Sequence, residues 1–233
     1  KPRTLLATLK QTQIQWAGDG KHYAYGKEGR VYLAATGDTA VKQIAGPAAG
    51  QRGGGAANAQ ADTSKEARDR RAKERFSLSR YSPAGDALLI SNSEGMWLYD
   101  IAGASKELIV ATSDSDVTKP RIQVSTWSED GKSLYFTSAS RTKWERGVLR
   151  YDRGAKKLSE LIKDGRSYTG IRLSKDGSTL LLSVASGNRP SDIYVADAQL
   201  GNARRLVETN PQLAAKPLAR TDLMTYLDAD GHQ

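Results

Sequence analysis

Four segments of this chain are copies of one pattern, and that repetition limits its fold more than any other feature. They are residues 14–21 (IQWAGDGK), 79–86 (SRYSPAGD), 125–132 (STWSEDGK) and 171–178 (IRLSKDGS). Each carries a large apolar residue four positions before a glycine: Trp16 before Gly20, Tyr81 before Gly85, Trp127 before Gly131 and Leu173 before Gly177. The glycines lie 65, 46 and 46 residues apart. Behind each comes a run of β-forming residues (22–25, 87–90, 133–136, 179–182), then a second run (31–33, 96–99, 148–151, 193–195), then a short third (41–44, 107–109, 160–162, 205–207). A fixed period of this length signals stacked supersecondary units.

The physics of the unit is simple. An Asp-Gly or Ala-Gly pair supplies the positive-φ positions of a tight hairpin. Short strands bounded by turns follow it. Four antiparallel strands in about 46 residues, repeated, describe a β-propeller blade. One blade cannot bury both of its faces, so neighbours must stack on it. The predicted fold is therefore all-β: a partial β-propeller of about four four-stranded antiparallel blades. Four aligned copies of four strands set this apart from a β-sandwich. The blades are expected over 14–45, 76–112, 113–166 and 167–209. Residues 1–13, with Thr4, Leu5 and Leu6, read as the closing strand of a preceding blade, and 210–233 as a linker. On this reading the chain is a piece cut from a longer propeller.

The long first spacing needs its own account. Residues 46–63 are rich in Gly and Ala without periodicity and read as a loop. Residues 64–75 (SKEARDRRAKER) are strong helix formers apart from Ser64 and Asp69, with Ser64 placed to cap. This makes 46–75 a flexible and helical insertion, charged and with almost no apolar face. The net charge of +9 concentrates in two places. Residues 65–80 hold seven Lys/Arg against three Asp/Glu, and residues 141–166 hold nine against four. Neither stretch interleaves aromatics as an RNA-reading sheet does, so no nucleic-acid partner is expected.

Other classes fall away on composition. There is no cysteine, which excludes disulfides, zinc-thiolate sites and a Cys nucleophile. His22 and His232 are the only histidines, so no metal or other cofactor is expected. No apolar run approaches the roughly 18 residues of a membrane span.

The blade phrases also carry a resemblance. Trp127-Ser128-Glu129-Asp130-Gly131-Lys132 and Ile193-Tyr194-Val195-Ala196-Asp197 are similar to blade motifs of the prolyl oligopeptidase family of serine peptidases, which includes dipeptidyl and acylaminoacyl peptidases. The passage from Arg204-Arg205-Leu206-Val207 through Asn210-Pro211-Gln212-Leu213 to Tyr226 and Asp230-Gly231 resembles that family's exit from propeller to catalytic domain. The charged helix near 64–75, followed by Arg75-Phe76-Ser77-Leu78, resembles its bacterial members. The resemblance implies that the chain is the non-catalytic propeller portion of a serine peptidase, joined in cis to an α/β-hydrolase domain, gating and positioning peptide substrates. It implies a periplasmic or secreted location, with the cytoplasm as the alternative. The second functional reading is a stand-alone propeller scaffold that binds protein or glycan. A lyase or glycosidase propeller would need converging carboxylates, whereas most aspartates here end strands.

The chain itself is expected to be catalytically inert. A G-x-S-x-G nucleophile elbow is absent. Gly165-Arg166-Ser167-Tyr168-Thr169-Gly170 comes near it with one extra residue, but in a connection between blades rather than a strand–elbow–helix. No catalytic residue and no metal ligand is therefore assigned. The substrate-binding candidates come from loop length. From turn glycine to third strand takes 11 residues in the first two repeats, but 17 and 16 in the last two. The additions bring Arg141, Trp144, Arg146 and Arg189 to a propeller rim, where binding residues concentrate. Trp144 beside Arg141 and Arg146 suits stacking on a peptide and pairing with its carboxylate. The adjacent Glu pair with which dipeptidyl peptidases hold a substrate amino terminus is not present. Unpaired blade edges suggest a homo-oligomer.

Overall fold

The computed structural model describes residues 13–48, 63–113, 116–213, 215–219, 222, 224 and 226. Among them are sixteen strands forming four four-stranded antiparallel sheets, each in simple sequential order. The chain divides into two units, residues 1–114 and 115–233. In the first unit, β1 (Gln13–Trp16), β2 (His22–Lys27), β3 (Arg30–Ala35) and β4 (Lys42–Ala45) make one sheet. The second sheet consists of β5 (Ser77–Tyr81), β6 (Ala87–Asn92), β7 (Gly95–Asp100) and β8 (Ser105–Ala111). The second unit holds β9 (Arg121–Trp127), β10 (Ser133–Ala139), β11 (Arg146–Asp152) and β12 (Lys157–Asp164), then β13 (Ser167–Leu173), β14 (Thr179–Ser186), β15 (Arg189–Asp197) and β16 (Arg204–Val207). The expected strand at Thr4–Leu6 lies outside the described residues.

The repeat glycines occupy equivalent turns between the first and second strand of each sheet. Gly20, Gly85, Gly131 and Gly177 have φ of 66°, 74°, 69° and 75°. Their amides donate to the carbonyls of Ala17, Ser82, Ser128 and Ser174, three residues back. A carboxylate closes each turn. Asp19, Asp130 and Asp176 accept from the amides of Lys21, Lys132 and Ser178. In the second sheet Ala84 replaces that aspartate, and Asp86 takes the Ser82 hydroxyl instead at 2.8 Å. The aspartates that end third strands also tie turns. Asp100, Asp152 and Asp197 accept from the amides of Gly103, Ala155 and Gln199. These acids are therefore structural.

Each unit is held by the face of its later sheet packing on the earlier one. In the first, Tyr81, Leu88, Ile90 and Tyr99 share a buried cluster with Ala17, Ala24, Val31 and Ala45. In the second, Ile171, Leu180, Leu182 and Val184 share one with Tyr135 and Val148. The hydroxyl of Tyr135 donates to the Ala198 carbonyl at 3.0 Å, which satisfies its one polar atom. Alternation puts large side chains on one face of a sheet and smaller or mixed ones on the other, so the two sheets within each unit interlock.

The charged insertion forms helix α1 (Lys65–Glu74), whose only buried residue is Ala67. Ser64 caps it, accepting from the Ala67 amide at 3.2 Å. Glu66 in the first turn, with Arg71 and Lys73 in the last, complements the helix dipole. Its end is anchored where Asn92 donates to the Lys73 carbonyl at 2.6 Å and Lys73 meets Glu94 at 3.4 Å. It joins no apolar core as a stripe, as expected from a sequence without an apolar face.

Candidate functional site

The hairpin between β10 and β11 is the best-furnished part of the second unit. Its tip spans residues 140–145 and is shaped by the Ser140 hydroxyl, which accepts from the amides of Thr142 and Lys143. Trp144 is 42% exposed, yet its ring lies against the connection after β12. A Cβ built on Gly165 would sit 3.1 Å from the Trp144 ring. Arg146 opens β11, with its guanidinium 5.6 Å from the centre of that ring. It donates to the Ser167 hydroxyl at 2.8 Å. Lys163 and Glu145 meet at 3.3 Å beside it.

Two clefts flank Arg146. One, of about 190 Å³, has Ser140, Lys143, Glu145, Arg146, Glu160 and Lys163 among its lining. The other, of about 280 Å³, presents Arg121, Arg146, Gln123, Ser138, Ser167 and Thr169. Two arginines and no aspartate or glutamate are among the residues lining this second cleft. Both volumes suit a side chain or a chain terminus rather than a large ligand. Two arginines set among hydroxyls and an amide are the donor set that a carboxylate takes.

The next strand is braced by a compact polar group. Tyr168 donates to Asp164 at 2.7 Å, and the Arg166 side chain donates to the same oxygen at 2.8 Å. Burial works to raise the Asp164 pKa, but hydrogen bonds from Arg166 and Tyr168 outweigh it, so the carboxyl is held below the usual aspartate range. Burial, and then the charged acceptor, push the Tyr168 phenol well above its ordinary value. A depressed folded-state pKa adds stability above the unfolded aspartate value of about 4, which is lost as pH falls through the lower folded value. Urea midpoints should therefore drop on acidification below about pH 4. Asp164→Asn should flatten part of that slope; an unchanged slope would remove Asp164 from the account.

Of the four residues singled out from the sequence, two converge: Trp144 and Arg146. Arg141 is not in the lining of either cleft described above, and its charge acts on Asp116. That carboxyl is held low chiefly by hydrogen bonds from Thr118, with a smaller contribution from Arg141. Arg189 is the first residue of β15 and pairs with Ser186 across a two-residue turn. The extra residues of the fourth repeat thus lengthen the hairpin, and Arg189 sits beside its tip. His22 lies in β2, the second strand of its sheet, and contacts Asp19 of the adjoining turn.

Three participants were not assigned to binding from sequence. Ser167 reads in the sequence only as a near-miss nucleophile, whereas the structure has it accepting from Arg146. Arg121 and Gln123 are on β9, the strand paired with β10, and only the register Ser138–Ile122 and Ala139–Arg121 brings them to the cleft. The alternation of polar residues along Arg121, Gln123 and Ser125 was their one visible signal.

No family model matches this sequence, and no curated protein is similar to it. Solved structures are similar in fold. Dipeptidyl peptidase 4 of Porphyromonas gingivalis matches with a TM-score of 0.56 at 10% identity, over 82% of this chain and 32% of that one. The β-propeller domain of the trilobed protease of Pyrococcus furiosus gives 0.52 at 13%, over 84% and 56%. An oligogalacturonate lyase of Vibrio parahaemolyticus gives 0.53 at 13%, over 83% and 50%. This chain spans only a third to about half of each of these. Among the described residues no helix is long and apolar enough to cross a membrane. With four four-stranded antiparallel sheets and one short α-helix among its described residues, the chain is an all-β, partial β-propeller.

Proposed function

We propose that this chain is the substrate-holding propeller portion of a serine peptidase, and that it takes the carboxylate end of a peptide in the cleft between Arg121 and Arg146. The observation that carries this reading is the acid-free lining of that cleft, with two guanidiniums and a ring of hydroxyls. Trp144, stacked near Arg146, offers a flat surface for the preceding side chain. The resemblance of the blade and exit motifs to prolyl oligopeptidases supports peptides as the ligand class, and propellers of peptidases share the fold. In this reading an α/β-hydrolase domain in cis performs the cleavage, the propeller restricts access to it, and the protein works in the periplasm or outside the cell.

Fluorescence anisotropy on the 233-residue chain tests this. A short labelled peptide with a free carboxyl terminus should bind, and its amidated form should bind at least tenfold more weakly. Arg146→Ala should weaken the free form by a similar factor, the loss of one charge-assisted contact of roughly 1.5–3 kcal/mol. Peptide p-nitroanilides should not be turned over by the chain alone. Indifference to the carboxylate, or binding of oligogalacturonate in place of peptide, would sink the peptide reading; the latter result favours a glycan scaffold. Hydrolysis abolished by Ser167→Ala would make Ser167 the nucleophile after all.

A further inference from the structure

The third sheet sets two of its cations in one row. Ala139 of β10 is paired with Arg121 of β9 on one side and with Arg146 of β11 on the other. Residues directly opposite one another on antiparallel strands point to the same face. That face also carries Tyr135 and Val148, which the fourth sheet covers. Arg121 and Arg146 therefore stand on one side of the sheet, rooted two strand spacings, roughly 10 Å, apart. In the row only the methyl group of Ala139 separates them. Gln123, Thr137 and Val148 are aligned in the same way two residues further along. Ser167, Tyr168 and Thr169 of β13 complete the cleft, so all of its lining belongs to one unit.

The two arginines differ in how they are held. Arg146 donates to the Ser167 hydroxyl at 2.8 Å through one terminal nitrogen and lies 5.6 Å from the centre of the Trp144 ring. These contacts fix the plane of the guanidinium and leave its other N–H groups for a bidentate grip. Arg121 is exposed, and its side chain makes no hydrogen bond or ion pair among the described residues. Asp164 continues the row beyond Arg146, but its carboxylate is engaged by Arg166 and Tyr168. A single peptide carboxylate would thus leave one of the two positive charges without a partner.

We infer that the cleft recognises a C-terminal acidic residue by both of its carboxylates: Arg146 takes the α-carboxylate and Arg121 takes the side chain. This rests on the peptide-carboxylate reading above and narrows it to peptides that end in glutamate or aspartate. The division of roles follows from how each arginine is held. The α-carboxylate sits at a fixed point of every C terminus, which suits a guanidinium already braced in one plane. A side-chain carboxylate varies in reach, which suits an arm that is free to turn. No internal bond breaks when an acid engages Arg121, so the new ion pair adds to binding without an offsetting loss.

Fluorescence anisotropy with peptides that share one labelled body tests this. A peptide ending in glutamate, with a free carboxyl terminus, should bind the 233-residue chain about tenfold more tightly than one ending in glutamine. Glutamine has the same shape and lacks only the charge. Moving the glutamate one residue inward, with glutamine at the end, should remove the advantage. Arg121→Ala should bring the glutamate-to-glutamine ratio below about twofold, and Arg121→Lys, which keeps the charge, should retain several-fold. Arg146→Ala should weaken both peptides and keep the ratio. Both arginines are exposed, so circular dichroism spectra should match the parent chain in every variant. Equal affinity for the two endings overturns the inference. So does a preference that survives Arg121→Ala, or one that the inward glutamate retains. In each of these cases a free terminus that still outbinds its amide leaves the peptide-carboxylate reading standing. Loss of that difference between free and amidated termini sinks the reading and the inference together.

Discussion

Gly95→Ala is expected to lower the stability of the first unit by at least about 3 kcal/mol, the range in which strained backbone and forced overpacking combine. Gly95 begins β7 with φ of 147°, a region that an L-residue rarely enters. A Cβ there would lie 2.0 Å from the Val110 carbonyl oxygen and 3.0 Å from the Ala111 Cα. Both belong to β8, which β7 pairs in the ladder Gly95–Ala111 and Met96–Val110. The strand cannot yield without breaking that ladder, because no flexible side chain stands in the way. A thermal melt should fall by roughly 6–12 °C for a chain of this size. Gly20→Ala is the control. It has φ of 66° and nothing within 4 Å of the added carbon, so it should cost only about 1–2 kcal/mol of backbone strain. Equal losses in the two variants would show that steric contact with β8 is not what Gly95 avoids.

Gly147→Val should damage fold and site together. Gly147 follows Arg146 on β11, where the Ile162 carbonyl oxygen would be 2.5 Å and the Ser138 hydroxyl 2.9 Å from a Cβ. The register of β11 against β12 shifts between Val148 and Leu149, and this bulge turns the strand next to the cleft. Valine must push β11 away from β12 and carry the Arg146 backbone with it. We expect a loss of about 3 kcal/mol, at the upper end of overpacking costs, in thermal melts of the second unit. We also expect peptide affinity to fall as far as in Arg146→Ala, although no binding side chain has changed. A folded variant with full affinity would mean that Arg146 does not depend on this close approach.

The turns were legible in the sequence because their chemistry is local. A glycine at positive φ and an aspartate that accepts from the amide two residues on act within five residues, so the pattern around Gly131 reads the same in any context. The blade count followed, since each turn fixes a hairpin and the period repeats it. The helix at 65–74 was legible for the same reason: Ser64 and the run of helix formers need no partner.

The rim is less legible in the sequence. Counting residues between Gly177 and β15 does not separate a loop from a longer pair of strands. Only the pairing of Ser186 with Arg189 shows that the fourth repeat spends its extra residues on ladder hydrogen bonds. The cleft depends on residues far apart in the chain. Arg121, Arg146 and Ser167 meet through the order of β9, β10 and β11 and the entry of β13. Local sequence therefore determined the hairpins, the helix and the number of sheets, because backbone geometry and turn chemistry act over a few residues. Strand register and sheet stacking decided which polar side chains share a cleft. A shift of one residue in pairing would send Arg121 to the opposite face, and nothing within its own strand encodes that choice.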